Sequence, residues 1–244
     1  MTGMEDKVLL TIFTDPMMGL SYESEPIMER LARNYAGQIE FHYVMSLLVR
    51  DVADFMTPAE RALPPEEGIR RYCARLAKIY KSEESIGGLP IHMEVFRLFD
   101  AEHRSSRPLC LAYKAAQLAA PEKADAFLTA LRHATVLDGR PTTHDEEILR
   151  VVRHAGIDEA LFEKHFRDGS AGAALERDLA LTRSLGIRSL PTCLIRYKDK
   201  AVLLQSFEYP VFANAVDAVI QAAGSVDREP AGKPPGRSEK SGRN

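Results

Sequence analysis

The 244-residue sequence predicts an α/β fold, a central mixed β-sheet interrupted by an all-helical insertion. Three observations predict it. Residues 7–48 run strand, helix, strand. Residues 58–185 carry helical periodicity without a strand-like run. Residues 186–223 return to a strand, a charged turn, a second strand and a closing helix. The expected organisation is discontinuous. Residues 1–57 and 186–224 form the sheet-bearing domain, residues 58–185 the helical insertion, and residues 225–244 a disordered, Pro-rich tail.

The first strand is the apolar run Val8-Leu9-Leu10-Thr11-Ile12-Phe13, suited to burial on both faces of a sheet. Thr14-Asp15-Pro16-Met17-Met18-Gly19-Leu20-Ser21-Tyr22 follows and leads straight into a helix from Glu25 to Tyr35. That helix has Ile27, Met28, Leu31, Ala32 and Tyr35 at helical spacing, Glu23 or Ser24 as its cap, and Gly37 as its stop. Such a loop ends at free N–H groups and the positive end of a helix dipole, where many α/β proteins place chemistry. The run from Ile39 to Leu48 alternates Ile39, Phe41, Tyr43, Met45 and Leu47 with polar residues and predicts the second strand. Strand, helix and strand in such short order predict a parallel pair with a right-handed crossover.

In the insertion, Pro64-Pro65, Gly87-Gly88-Leu89-Pro90, Pro108, Pro121, Gly139-Arg140-Pro141, Gly156 and Gly169 punctuate five to six helices. Ser106 before Pro108 has the look of an N-cap, as do Asp158 and the Thr143-His144-Asp145-Glu146 start. His42, His92, His103, His133, His144, His154 and His165 form no H-E-x-x-H or comparable local ligand spacing. Each is expected to be a surface or satisfied polar residue, and no metal site is expected. Beyond the insertion, Pro191 opens a strand, Lys198-Asp199-Lys200 turns it, and residues 201–207 pair antiparallel with it. Residues 211–223 close the fold as an amphipathic helix with Phe212, Ala215, Val216, Val219 and Ile220 on one face.

The composition is that of an ordinary globular chain, 45% hydrophobic and 27% charged. A formal net charge of −3, with no basic run interleaved with aromatics, argues against nucleic acid as a partner. No apolar run reaches the roughly 18–20 residues that span a membrane. The polar, acidic N-terminus lacks a basic-then-apolar leader, so a cytoplasmic location is expected. Cys73, Cys110 and Cys193 are far apart and form no C-x-x-C pair. They are expected to be buried free thiols in a reducing compartment.

The order of elements, together with Phe13-Thr14-Asp15-Pro16, Glu25-Pro26, Ile39-Glu40-Phe41-His42-Tyr43-Val44-Met45 and Leu185-Gly186-Ile187-Arg188-Ser189-Leu190-Pro191-Thr192, resembles the DsbA-like thioredoxin-fold family. The chain looks most like its cytoplasmic FrnE-like and SpxH-like branches, over about residues 7 to 223. The resemblance implies a thioredoxin fold with a helical insertion and a thiol-disulfide oxidoreductase or isomerase ancestry. It also implies a loop reading Asp-Pro-x-Cys-x-x-Cys-aromatic. Laid on this chain, that motif puts the first cysteine on Met18 and the second on Ser21, keeps the aromatic as Tyr22, and puts the family's cis-proline on Pro191. The C-x-x-C motif is thus replaced by Met18-Gly19-Leu20-Ser21.

A thioether has no proton to lose and a hydroxyl cannot resolve a mixed disulfide, so neither Met18 nor Ser21 can run dithiol exchange. No catalytic residue is expected at the two redox positions. Met17, Met18, Leu20, Ser21, Tyr22, Leu190, Pro191 and Thr192 are expected to line a groove for a peptide or protein client. An adaptor is the concrete version, because the SpxH-like branch delivers substrates to a Clp protease. Two alternatives stand beside it. One is residual thiol chemistry at Cys193, two residues past Pro191 and on the same face. The other is glutathione transferase-like or isomerase chemistry at Ser21, with glutathione as cofactor. In a third reading Met17 and Met18 simply fill a core gap. A monomer or homodimer is expected.

Overall fold

A computed structural model describes residues 7–92, 96–206 and 208–226. Four strands form one sheet: β1 (Val8–Thr14), β2 (Ile39–Met45), β3 (Thr192–Tyr197) and β4 (Lys200–Leu204), in the order β2-β1-β3-β4. β1 runs parallel to β2, with Val8 opposite Ile39 and Thr14 opposite Met45. β3 is antiparallel to both β1 and β4. This is the mixed sheet of a thioredoxin fold, and the helices between β2 and β3 are the expected insertion.

The crossover from β1 to β2 has two helical pieces, α1 (Gly19–Glu23) and α2 (Glu25–Asn34), rather than one. Pro26 has no N–H to continue α1, so the chain breaks at Ser24. Ser24 stands at the N-cap of α2, as expected, but its side chain makes no cap bond. Its hydroxyl donates to Ser21 O at 2.9 Å. The second strand stops at Met45, short of the expected Leu48, because Leu47 adopts a positive φ of 50° that leaves the sheet. β4 ends at Leu204, and Phe207 lies outside the described residues. The last helix, α10 (Tyr209–Val226), starts earlier than expected and takes in 225 and 226 of the expected tail. Residues 227–244, where the rest of the tail was expected, also lie outside the described residues.

The insertion carries seven helices among the described residues: α3 (Pro58–Arg61), α4 (Pro65–Gly87), α5 (Arg107–Ala119), α6 (Ala124–Arg132), α7 (Asp145–His154), α8 (Glu159–Arg167) and α9 (Ser170–Ser184). A π-helical turn, His133–Leu137, prolongs α6. Thr57 and Glu60 start α3 with a reciprocal capping box, and Asp158 caps α8 by accepting from Leu161 N at 2.7 Å.

One core lies between the sheet and α2 and α10, built from Leu10, Ile12, Leu31, Cys193, Ile195, Phe212 and Val216. A larger core fills the insertion and includes Leu76, Tyr80, Phe96, Phe127, Phe162 and, from the loop after β1, Met17 and Tyr22. The loop is therefore anchored in the insertion. Among the described residues, no helix is long and apolar enough to cross a membrane.

Candidate functional site

The loop between β1 and α1 turns on one carboxylate. Asp15 is fully buried. Its Oδ1 accepts from Met17 N at 3.1 Å, the local bond of an Asx turn. Its Oδ2 accepts from Leu48 N at 2.8 Å, Ser106 Oγ at 2.6 Å and Cys110 Sγ at 3.4 Å. These donors come from the chain after β2 and from the start of α5, so Asp15 ties three segments together. Burial pushes its pKa up, and the bonds from Ser106, Leu48 N and Met17 N pull against that. Ser106, expected as a helix cap, makes no cap bond and spends its hydroxyl on Asp15.

Met18 is the N-cap of α1, with extended backbone and no capping side chain. Its side chain is buried, and its sulfur lies 3.9 Å from Thr14 Oγ1. Ser21 is buried as well, its hydroxyl 2.7 Å from the same Thr14 oxygen. The two side chains at the expected thiol positions thus converge on Thr14 beneath the surface. From α4, the Tyr80 hydroxyl donates to Met17 O. Tyr22 points its hydroxyl at Pro90 O, 2.8 Å away, and burial pushes its pKa up to about 12.

Of the eight residues expected to line a groove, Met17, Met18, Ser21, Tyr22, Pro191 and Thr192 are buried, and only Leu20 and Leu190 are half-exposed. Met17 and Tyr22 are core residues because α4 is laid across the loop. The Leu190–Pro191 peptide is cis. Pro191 and Thr192 line a narrow crevice with Ser24, Met28 and Phe212, which brings the proline beside the α1–α2 junction. β4 pairing begins only at Cys193, and the Leu190 backbone has no hydrogen-bond partner among the described residues.

The three thiols are all buried. Cys73 donates to Phe99 O, and Cys110 to Asp15. Cys193 does share the face of Pro191, as alternation requires, but that face looks into the core under α2 and α10. Burial pushes its thiol up to about 12, which leaves almost no thiolate at neutral pH. Cys193, expected as a possible reactive thiol, is thus a buried thiol on the crevice that Pro191 lines.

Two acids stand beside the loop: Glu23, expected from sequence only as a helix cap, and Glu83, for which no role was expected. Glu23, the buried last residue of α1, accepts from Gly87 N and Leu89 N, each at 3.1 Å, and its Oε1 has no partner. Glu83 of α4 stands over the first turn of α1, where a Cβ on Gly19 would come within 1.9 Å of its Oε2. That oxygen is also buried without a partner. Burial, and the neighbouring charge of Glu23, push Glu83 from the ordinary 4.5 up to about 7. The fold therefore prefers the neutral acid. As pH rises from about 4.5 the unfolded chain ionises first, stability falls, and the loss is complete above about pH 7. Glu83→Gln should remove that loss. The expected gain is about 1–2 kcal/mol at about pH 8, after discounting for screening at a half-exposed group, with none at about pH 4. Urea midpoints at the two pH values check it, and an equal shift at both would contradict it.

Glu25, the first residue of α2, binds Arg132 at 2.9 Å and His133 at 2.7 Å, fastening α2 to α6. The bond to Glu25 raises the pKa of His133. A second group, Asp100 with His103 and His144, lies elsewhere in the insertion.

Residues 11–208 match a family described as Thioredoxin. The chain belongs to that family. It is 24% identical over 180 residues to the ClpXP adapter protein SpxH of Halalkalibacterium halodurans, a match that covers 74% of this chain and 56% of that protein. The chain thus spans little more than half the length of this relative. Among solved structures it is similar to a proposed protein disulfide isomerase from Nitrosomonas europaea, with a TM-score of 0.68 and 17% identity, covering 90% of this chain and 98% of that one. It is also similar to the cytosolic disulfide reductase DsbM from Pseudomonas aeruginosa, solved with GSH, with a TM-score of 0.57 and 18% identity, covering 91% and 100%. These likenesses establish a DsbA-like thioredoxin fold.

Proposed function

We propose that this chain is a DsbA-like thioredoxin-fold protein that has lost dithiol chemistry and works in the cytoplasm by binding a protein client, as an adaptor does. One observation carries the reading. The two positions that would hold the redox thiols are a thioether and a hydroxyl, both buried and both turned onto Thr14. Further support comes from the three native thiols, all of them buried. The similarity to a protein named a ClpXP adapter supports the binding half of the proposal.

The client would lie over Leu20 and Leu190. There the Leu190 backbone is unpaired and β4 pairing stops at Cys193, with only the Gln205 side chain reaching Ser189 beyond it, so an extended peptide that displaces this side chain can add as a strand. The groove is narrower than the sequence suggests, because Met17 and Tyr22 are not part of it. The test is affinity capture from cells of the source organism with wild type, Leu190→Asp and, as a control on α5, Leu118→Asp. The expected result is a client enriched by wild type and by Leu118→Asp, and reduced at least about tenfold by Leu190→Asp, a loss of about 1.4 kcal/mol. A captured set indifferent to Leu190, with all three proteins folded by circular dichroism, would sink this surface as the client site.

A further inference from the structure

Asp100, His103 and His144 meet beside a cavity of about 600 Å³ in the insertion, and Asp100 and His144 form part of its wall. Asp100 and His103 lie on the connection from α4 to α5, and His144 is the residue just before α7. One carboxylate faces both imidazoles. His103 Nδ1 lies 3.0 Å and 3.1 Å from its two oxygens, and His144 Nε2 lies 2.9 Å from Oδ2. The rings stack, with centroids 3.8 Å apart and planes inclined by 26°. The candidate ligand atoms of the three residues lie within 4.8 Å of one another.

A single surface histidine on a carboxylate is an ordinary hydrogen bond. Two stacked imidazoles turned onto the same carboxylate, from segments remote in sequence, are a convergent donor set. The set is also held from behind. Asp100 Oδ1 accepts from Glu102 N at 2.8 Å and His103 N at 2.7 Å, and Asp100 N donates to His103 O at 3.2 Å. His144 N donates to Pro141 O at 3.0 Å, its carbonyl accepts from Ile148 N at 3.1 Å, and the Thr143 hydroxyl donates to Leu98 O across the two loops. Ligating carboxylates are characteristically fixed by such outer hydrogen bonds. Two imidazoles and a carboxylate suit a divalent transition metal, and three protein ligands leave one position open.

We propose that Asp100, His103 and His144 bind one divalent transition-metal ion of the zinc type, with its open position toward the cavity. Donors at about 2.0–2.2 Å from such an ion stand a few tenths of an ångström farther apart than these hydrogen bonds, a small opening for half-exposed side chains. The ion takes the place of the hydrogens between Asp100 and the two rings: a neutral imidazole ligates through one nitrogen with its single proton on the other, an imidazolium first releases one proton to solvent, and either way each ring binds the ion as a neutral ligand beside the Asp100 carboxylate. No electron is transferred. Phe96 and Phe99 line the same cavity, and its Arg70 is paired with Glu67, so a ligand on the open position would present an apolar body to this wall.

The test is calorimetric titration of the chelator-treated full chain with Zn²⁺, alongside thermal unfolding with and without the ion. Wild type should bind one ion per chain, with a higher unfolding midpoint when saturated. His103→Ala and His144→Ala should each weaken that binding at least about tenfold and lose the midpoint rise, while His165→Ala keeps both. His144→Gln, which keeps a polar side chain before α7, is the second variant in case the alanine does not fold, and should lose binding equally. Absence of one-to-one binding by wild type, or binding that survives in folded His144→Gln, would overturn the assignment.

Discussion

Asp15→Ala should destabilise the fold by about 3–5 kcal/mol, lowering the unfolding midpoint by about 10 °C. The substitution removes the acceptor for Met17 N and Leu48 N in one step, and leaves the Ser106 hydroxyl only its longer bond to Val49 O at 3.3 Å. Each buried donor left without a partner costs about 1–3 kcal/mol. The gain from no longer burying a carboxylate offsets part of this but cannot replace three bonds. Losses of this size are uncommon and trace to named causes, of which a broken buried network is one. Asp15→Asn should fall between, because the amide keeps one acceptor oxygen and turns a second donor toward groups that already donate. Urea and thermal unfolding read both variants. A loss below about 1 kcal/mol for the alanine would mean that the loop is not held by this carboxylate.

The joint substitution Met18→Cys and Ser21→Cys should create disulfide exchange at a loop that, on the proposed reading, lacks it in the wild type. The frame for it is intact. Position 18 caps α1 with extended backbone, position 21 is one turn on, and the cis peptide before Pro191 brings that proline close to the same helix. A thiolate at a helix N-terminus is favoured by the dipole and the free N–H groups. Here that help is opposed by Glu83, which stands over Gly19 and gains negative charge near neutral pH. A like charge raises a thiol's pKa. Activity of the double variant should therefore be weak, and adding Glu83→Gln should raise it several-fold at about pH 7–8. Turnover of insulin disulfides by dithiothreitol measures both. No activity in either protein, with both thiols reactive on unfolding, would show that the loop geometry has moved away from exchange.

The strands and the loop were legible because their signals are local. An apolar run before Asp15-Pro16, alternation from Ile39, and a proline-opened hairpin need only period and turn chemistry. What the loop does was less legible, because its partners are distant. Ser106 had the pattern of a cap, yet its hydroxyl crosses to Asp15 from 91 residues away in sequence. Met17 and Tyr22 had the pattern of a sticky groove, yet α4 covers them, and a helical stripe does not announce where its outer residues land. Glu83 sits in an unremarkable charged run and becomes informative only once Gly19 is seen beneath it. The Asp100, His103 and His144 group escaped for the same reason. One half has the spacing of a turn, and the other arrives from a separate loop. A tertiary histidine set has no local signature, and His144 placed beside Asp145 and Glu146 reads first as the start of a helix.

The most direct measurement is insulin reduction by the wild-type chain with dithiothreitol as donor. The expected rate is that of dithiothreitol alone, since Met18 and Ser21 carry no thiol and Cys73, Cys110 and Cys193 are buried. A protein-dependent rate that disappears in Cys193→Ala would contradict a loop without thiol chemistry.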